Sequence, residues 1–253
     1  INPLFLPKTM IIIRYRELSL KGNNRSDFER FLKNSIKDCL KKNKVEFEKV
    51  LRLHGRILVL TNNECPQLKY VSGISSFSYA EECPQNFEEI KEHALKYYTE
   101  GTFRISCQRM EDFYMSSQEL EREVGAFVVE KTQAKVKLKD PDVDICIEIF
   151  NNHAYLFSNK LPGVGGIPVD PETEVVLILQ NEDSVKAGIK VVRRGCSLNI
   201  FKEKDIDYSE LKDYEYGFRI KELESIPKDA IVVVSDTLET IKEYTWFALR
   251  PMI

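Results

Sequence analysis

Apolar and polar positions along the first third of the chain switch between two periods. Met10–Leu18 opens with a continuous apolar run and reads as a strand, followed by the loop Ser19-Leu20-Lys21-Gly22-Asn23-Asn24-Arg25. Phe28, Phe31, Leu32, Ile36 and Leu40 then recur at helical spacing, which predicts a helix with one apolar face running to about Lys42. Ser26-Asp27-Phe28-Glu29 has the form of a capping box, in which Ser26 and Glu29 each satisfy a backbone donor. Val45–Leu51 and Arg56–Leu60 read as two strands joined near His54-Gly55, and Pro66–Val71 as a short second helix.

A second cycle follows: a strand near Ser75–Ala80, a helix over Asn86–Tyr98 and a strand over Thr102–Cys107. Ser116-Ser117-Gln118-Glu119 is a second capping box, and its helix turns Leu120, Val124, Phe127 and Val128 inward to about Thr132. Val143–Ile149 and His153–Phe157 flank Asn151-Asn152, a hairpin signal. Lys135, Lys137 and Lys139 alternate on a strand-like stretch with Val136 and Leu138 on the other face, so three like charges meet either water or phosphates. The Gly/Pro cluster Leu161–Pro168 is the predicted linker to a third unit. There Glu174–Leu179 reads as a buried parallel strand, Ser184–Arg194 as a helix capped by Gly195, and Cys196–Phe201 and Ala230–Val234 as further strands. With a helix over Thr237–Tyr244, this order predicts a small doubly wound parallel sheet. The expected fold is α/β with an α+β front half, divided at 10–75, 76–165 and 170–253.

Composition narrows the function classes. The 253 residues are 43% hydrophobic and 30% charged, and no apolar run approaches the ~20 residues of a membrane span. Ile1–Met10 lacks the pattern of a signal peptide and Met10 reads as the natural start, so a cytoplasmic protein without a membrane is expected. Six cysteines stand singly, without a C-x-x-C pair, and His54, His93 and His153 are isolated, so neither a metal site nor an acid–base dyad is predicted. The net charge of −3 is unevenly placed: residues 1–85 carry +6, 86–169 carry −4 and 170–253 carry −5. The basic excess at the front, in Arg14, Arg16, Lys21, Arg25, Arg30, Lys33 and Lys37, suits either a phosphate backbone or a solvated helix face.

Several stretches carry a family likeness: Arg14-Tyr15-Arg16-Glu17-Leu18-Ser19-Leu20-Lys21-Gly22-Asn23-Asn24-Arg25, Glu121-Arg122-Glu123-Val124-Gly125, Lys135–Val143, and Gly163-Val164-Gly165-Gly166-Ile167-Pro168-Val169. In this order the chain resembles the tRNA 4-thiouridine synthetases, the tRNA sulfurtransferases also linked to thiamine biosynthesis. The resemblance runs from Met10 to about Phe201 and returns at Leu249–Ile253. It implies an N-terminal ferredoxin-like domain, a THUMP domain that binds RNA, and a Rossmann-like ATP pyrophosphatase domain of the PP-loop type. It also implies tRNA as partner, a homodimer sharing it, Lys21 and Arg25 on phosphates, and Arg109, Lys137 and Lys139 lining the second domain's groove.

The family's third domain uses a glycine-rich loop whose backbone donors cradle nucleotide phosphates. Here Leu179-Gln180-Asn181-Glu182-Asp183-Ser184 stands in its place, keeping only Asp183 and Ser184 as vestiges of nucleotide binding, a pair that would equally serve as a helix N-cap. No catalytic residue and no metal ligand is assigned, and ATP and magnesium are expected only if this loop still binds. Cys196 is a candidate sulfur acceptor or a core cysteine, and Trp246-Phe247 an internal or a docking pair. Three readings stay open. The leading one is a tRNA-binding protein that holds the acceptor stem and 3′ end, its adenylating domain inactive or completed by a separate sulfurtransferase or pyrophosphatase subunit. The others are an active tRNA sulfurtransferase making 4-thiouridine with ATP, and a protein-interaction adaptor without RNA binding.

Overall fold

The computed structural model describes residues 9–16, 25–53 and 55–253. The chain forms β1 (Thr9–Arg14), α1 (Arg25–Lys42), β2 (Lys49–Leu53), β3 (Arg56–Leu60), a 3-10 turn (Pro66–Tyr70) and β4 (Ser76–Pro84). It continues through α2 (Phe87–Tyr97), β5 (Thr102–Arg109), α3 (Ser117–Thr132), β6 (Lys135–Val136), β7 (Val143–Phe150), β8 (His153–Phe157) and β9 (Leu161–Pro162). Among the described residues these nine strands make one sheet, β2-β3-β1-β4-β8-β7-β5-β6, with β9 paired to β4. Strand β4 is longer than the sequence predicts because it serves both halves: Ser76–Glu81 pair with β1 and Glu81–Pro84 with β8. The first two units expected from the sequence thus share one sheet.

Side-chain alternation assigns the two faces. Ile11, Ile13 and Phe77 pack beneath Leu32, Ile36 and Leu40 of α1, while Ile145, Ile147 and Leu156 pack beneath Ile90, Leu120 and Val124 of α2 and α3. The same strands turn Met10, Ile12, Leu58, Tyr155 and Phe157 to the opposite face, where they form a second core. That face is concave. Arg56 of β3 and Glu148 of β7 stand four strand positions apart, about 19 Å on a flat sheet at ~4.8 Å per strand, which two side chains cannot span. Their Nε and Oε2 are 2.8 Å apart, so the sheet curls around its own inner core.

The third unit contains β10 (Asp170–Leu179), α4 (Asp183–Val192), β11 (Cys196–Lys202), a 3-10 turn (Ser209–Tyr214), β12 (Glu222–Leu223), β13 (Ile231–Val233) and β14 (Phe247–Leu249). Its five strands run parallel in the order β12-β11-β10-β13-β14. The expected helix over Thr237–Tyr244 does not form. Asp236 instead accepts from the backbone of Lys242 (3.0 Å) and the Tyr244 hydroxyl (2.9 Å), and Thr240 accepts from the backbone of Thr237 (2.9 Å). The Lys242 N–H, which a helix would direct to the Leu238 carbonyl, is thus taken by a side chain. Trp246 packs beside Ile178 and Val232, whereas Phe247 is exposed.

The Gly/Pro cluster is a packed connector. Backbone bonds tie Val164 to Lys69, Gly165 to Ile74, Gly73 to Gly165 and Ile167 to Arg193 at 2.8–2.9 Å. Gly166 has φ +80°, and a Cβ there would lie 2.1 Å from the Arg193 carbonyl. The third unit also docks on α1: Asp38 accepts from both terminal nitrogens of Arg219 and from the Gly217 backbone, and Lys42 pairs with Glu215. No helix among the described residues is long and apolar enough to cross a membrane.

Candidate nucleic-acid interface

The capping box at α3 forms as expected, Ser116 Oγ accepting from Glu119 N (3.2 Å) and Glu119 Oε2 from Ser116 N (2.7 Å). It fixes the start of the helix that walls an open groove. That groove, about 640 Å³, is lined by Phe103, Ile105, Arg122, Val129, Val136 and Leu138. The predicted strand through Lys139 is confined to Lys135–Val136, because β6 is the edge of the sheet. Val136 and Leu138 therefore do not face a core: they are 52% and 73% exposed beside the groove, and Lys135, Lys137 and Lys139 are exposed with them. Arg104 secures this segment by donating to the Leu138 carbonyl (2.9 Å) while its other nitrogens pair with Asp144.

Arg109 is held differently from a surface ion pair with Glu111 or Asp112. Its Nε reaches Ser117 Oγ at 3.3 Å and its Nη1 the Phe113 carbonyl at 3.2 Å, so the guanidinium braces the approach to α3.

Lys21 lies outside the described residues, and Arg25 sits at the first turn of α1. Ser26 lies inside that helix and not at its N-cap, so no capping box forms there. Glu29 is buried and accepts from the Tyr15 hydroxyl and from Arg25 Nε, each at 2.7 Å, while Ser26 Oγ accepts from Arg52 (3.1 Å). Burial and the Glu29 contact push the Tyr15 phenol up to about 12. Arg30 pairs with Asp27 on the surface. Arg14, grouped by sequence with the basic front, faces inward: it is 5% exposed and its Nε meets Glu148 Oε1 at 2.7 Å. Arg56 holds the other oxygen of Glu148, and its Nη2 donates to Gln108 (3.2 Å). Sequence reasoning missed this cluster. Its signal was the period-two run of polar residues Arg104, Ser106 and Gln108 beside Asp144, Cys146 and Glu148 on paired strands.

In the third unit, strand order reverses between β10 and β13, and the crevice beyond their C-terminal ends is where open parallel sheets bind ligands. The loop there is closed by its own side chains. Ser184 Oγ accepts from the backbone N–H of Gln180 (3.1 Å) and Asn181 (3.2 Å) and lies 3.1 Å from Ser235 Oγ. Ser235 in turn donates to Asn181 Oδ1 (2.8 Å), and Gln180 Nε2 donates to the Tyr244 hydroxyl (3.1 Å). Asp183 and Ser184 do not supply an N-cap: Glu182 occupies that position without a side-chain bond, and Asp183 pairs with Lys186 at 2.8 Å. Cys196 opens β11, and burial, with Asp170 nearby, pushes its thiol up, the opposite of an activated nucleophile.

A ferredoxin-like unit joined to a THUMP unit and a parallel α/β sheet defines the class, and the comparisons agree. The ThiI ferredoxin-like domain model matches residues 10–78 and the THUMP domain model residues 84–159. A probable tRNA sulfurtransferase of Thermococcus kodakarensis is 30% identical over 258 residues, covering 92% of this chain and 67% of the relative. One from Methanocaldococcus jannaschii is 34% identical over 211 residues, covering 76% and 55%. The chain belongs to the tRNA sulfurtransferase family, and it spans between half and two thirds of the length of these curated relatives. Among solved structures, PH1313 from Pyrococcus horikoshii Ot3 is similar over 97% of this chain and 94% of its own, with TM-score 0.82 and 27% identity. A 4-thiouridine synthetase–RNA complex with bound ATP is similar over 77% of this chain and 52% of its own, with TM-score 0.65 and 27% identity.

Proposed function

We propose that this chain binds tRNA through its ferredoxin-like and THUMP units, holding the acceptor stem and 3′ end, and that its parallel-sheet unit does not adenylate RNA unaided. The observation that carries the first half is the exposed edge at β6, where Val136 and Leu138 border an apolar groove between exposed lysines. Single-stranded RNA is held by this pairing of apolar surface for bases with cations for phosphates. Lys21, Arg25, Lys137 and Lys139 are the proposed RNA contacts, with Arg109 as a positioning residue. Lys137 and Lys139 would meet phosphate directly, whereas Arg109 would act through the position of α3.

The second half is supported by the loop after β10. A triphosphate needs free backbone N–H groups, yet those of Gln180 and Asn181 are bonded to Ser184, and Glu182 adds negative charge. The residues present do not fit ATP and magnesium, so a working pyrophosphatase would come from a separate subunit. Family membership favours the second reading, an active sulfurtransferase making 4-thiouridine. Binding of deacylated tRNA at two salt concentrations, with and without ATP and magnesium, separates the two. Salt-sensitive binding indifferent to ATP is expected, and Lys137→Ala with Lys139→Ala should flatten the salt slope by roughly 0.7 to 1 per lysine. Absence of tRNA binding would sink the first half, and micromolar ATP binding the second.

A further inference from the structure

The inner face of the curled sheet carries a charge imbalance that neither the core nor the groove at β6 uses. We propose that Arg14, Arg56 and Lys160, gathered around Glu148, form a binding site for a tetrahedral dianion of the phosphate class. The site is separate from the RNA contacts assigned above and does not depend on them.

Geometry places the three cations together. Glu148 gives one oxygen to Arg14 (2.7 Å) and the other to Arg56 (2.8 Å), so the single carboxylate is shared between two guanidiniums. Lys160 follows β8. It immediately precedes Leu161 of β9, which pairs with Phe77 of β4 next to Ser78, and its ammonium is within electrostatic reach of Arg14, Arg56 and Glu148. Ser78 Oγ is the acceptor for Arg14 Nη1 at 3.0 Å. Three formal positive charges thus surround one negative charge, an excess that matches a dianion better than a carboxylate.

Arg14 supplies the independent sign of a ligand. Its side chain is 6% exposed, and its Nη2 is buried without an acceptor among the described residues. A buried guanidinium donor left unpaired is costly, and an oxyanion would satisfy it. The Phe157 ring, 4.7 Å from the guanidinium carbon, fixes the fork's plane. The remaining neighbours leave that excess unchanged: Gln108 is neutral, burial and then Asp144 push the Cys146 thiol up to about 12, and the Asp144 carboxylate is itself paired with Arg104. Partial desolvation of its ammonium, and then the charges of Arg14 and Arg56 against that of Glu148, lower Lys160 from its ordinary value. Lys160 is the exposed member, so its ammonium is the group an entering anion meets first.

The test is isothermal calorimetry and thermal unfolding with inorganic phosphate against chloride at constant ionic strength. Phosphate should bind the wild-type chain and raise its melting temperature. Lys160→Ala, an exposed change that leaves the Glu148 pairs intact, should weaken phosphate about tenfold, the worth of one charge-assisted hydrogen bond. Arg14→Lys, which keeps the charge and removes Nη2, should weaken it similarly; if that variant does not fold, Lys160→Ala carries the test. No phosphate binding at millimolar concentration, or equal affinity in wild type and Lys160→Ala, overturns the site. Displacement of phosphate by tRNA would identify the group as a terminal phosphomonoester of the RNA, and undisturbed phosphate would identify the free ion, either supporting the site. Loss of phosphate binding with tRNA binding intact would leave the function proposed above untouched.

Discussion

Glu148 is the residue on which the inner face depends. Burial alone would raise its carboxyl, but the Arg14 and Arg56 guanidiniums override that and hold it below the ordinary range. A carboxyl depressed on folding contributes stability that is fully present above its unfolded pKa of about 4.3 and is lost as pH falls through the lower folded value. Glu148→Gln keeps the shape and removes the charge, leaving two buried guanidiniums without a counter-ion. A loss of about 3 to 5 kcal/mol is expected, the usual penalty for removing one partner of a buried pair. Denaturant unfolding at pH 7 and pH 3.5 checks this: the gap between wild type and variant should be wide at pH 7 and shrink at pH 3.5. A gap independent of pH would show that packing, not charge, accounts for the loss.

Among the elements, those legible in the sequence were set by local chemistry. The box at Ser116 and Glu119 formed, whereas Glu29, identical in spacing, is drawn inward by the Tyr15 hydroxyl and Arg25. Apolar periodicity placed α2, α3 and the β7–β8 hairpin, and β10-α4-β11 as a parallel unit, but could not show that β4 joins two units or that the sheet curls. Those depend on pairings far apart in sequence, such as Arg56 with Glu148. The same limit hid the inward turn of Arg14 among exposed arginines. Of the candidate site residues, Lys137 and Lys139 stand exposed, but together with Val136 and Leu138 and not on a separate strand face, while Asp183 and Ser184 became parts of internal contacts that no motif encodes. The Gly/Pro cluster read only as a linker because composition does not reveal close approach. Gly166→Ala should destabilise the chain by more than about 1 kcal/mol, since its positive φ and the Arg193 carbonyl both oppose a Cβ. An unchanged melting temperature would mean that the connector does not hold the third unit in place.

Across the whole molecule, the front half has no plane along which it divides. Strand β4 pairs with β1 on one stretch and with β8 on the next, so its backbone belongs to both units. The inner core draws Met10, Ile12 and Leu58 from the ferredoxin-like unit and Phe150, Tyr155 and Phe157 from the THUMP unit, and Glu148 ties β7 to β1 and β3. Opening either unit would expose the other's apolar residues and strand a buried charge, each costing more than a domain can lose independently. Hydrogen exchange should therefore find the slowest amides of β1, β3 and β7 opening with one common free energy. Glu148→Gln, although it lies in the THUMP unit, should lower that value equally in all three strands. Separate opening energies for β1 and β7, or a change confined to β7, would show that the units fold apart. Under the function proposed above the consequence lies in geometry, because two units welded through one sheet would present their cations to an RNA at a fixed spacing.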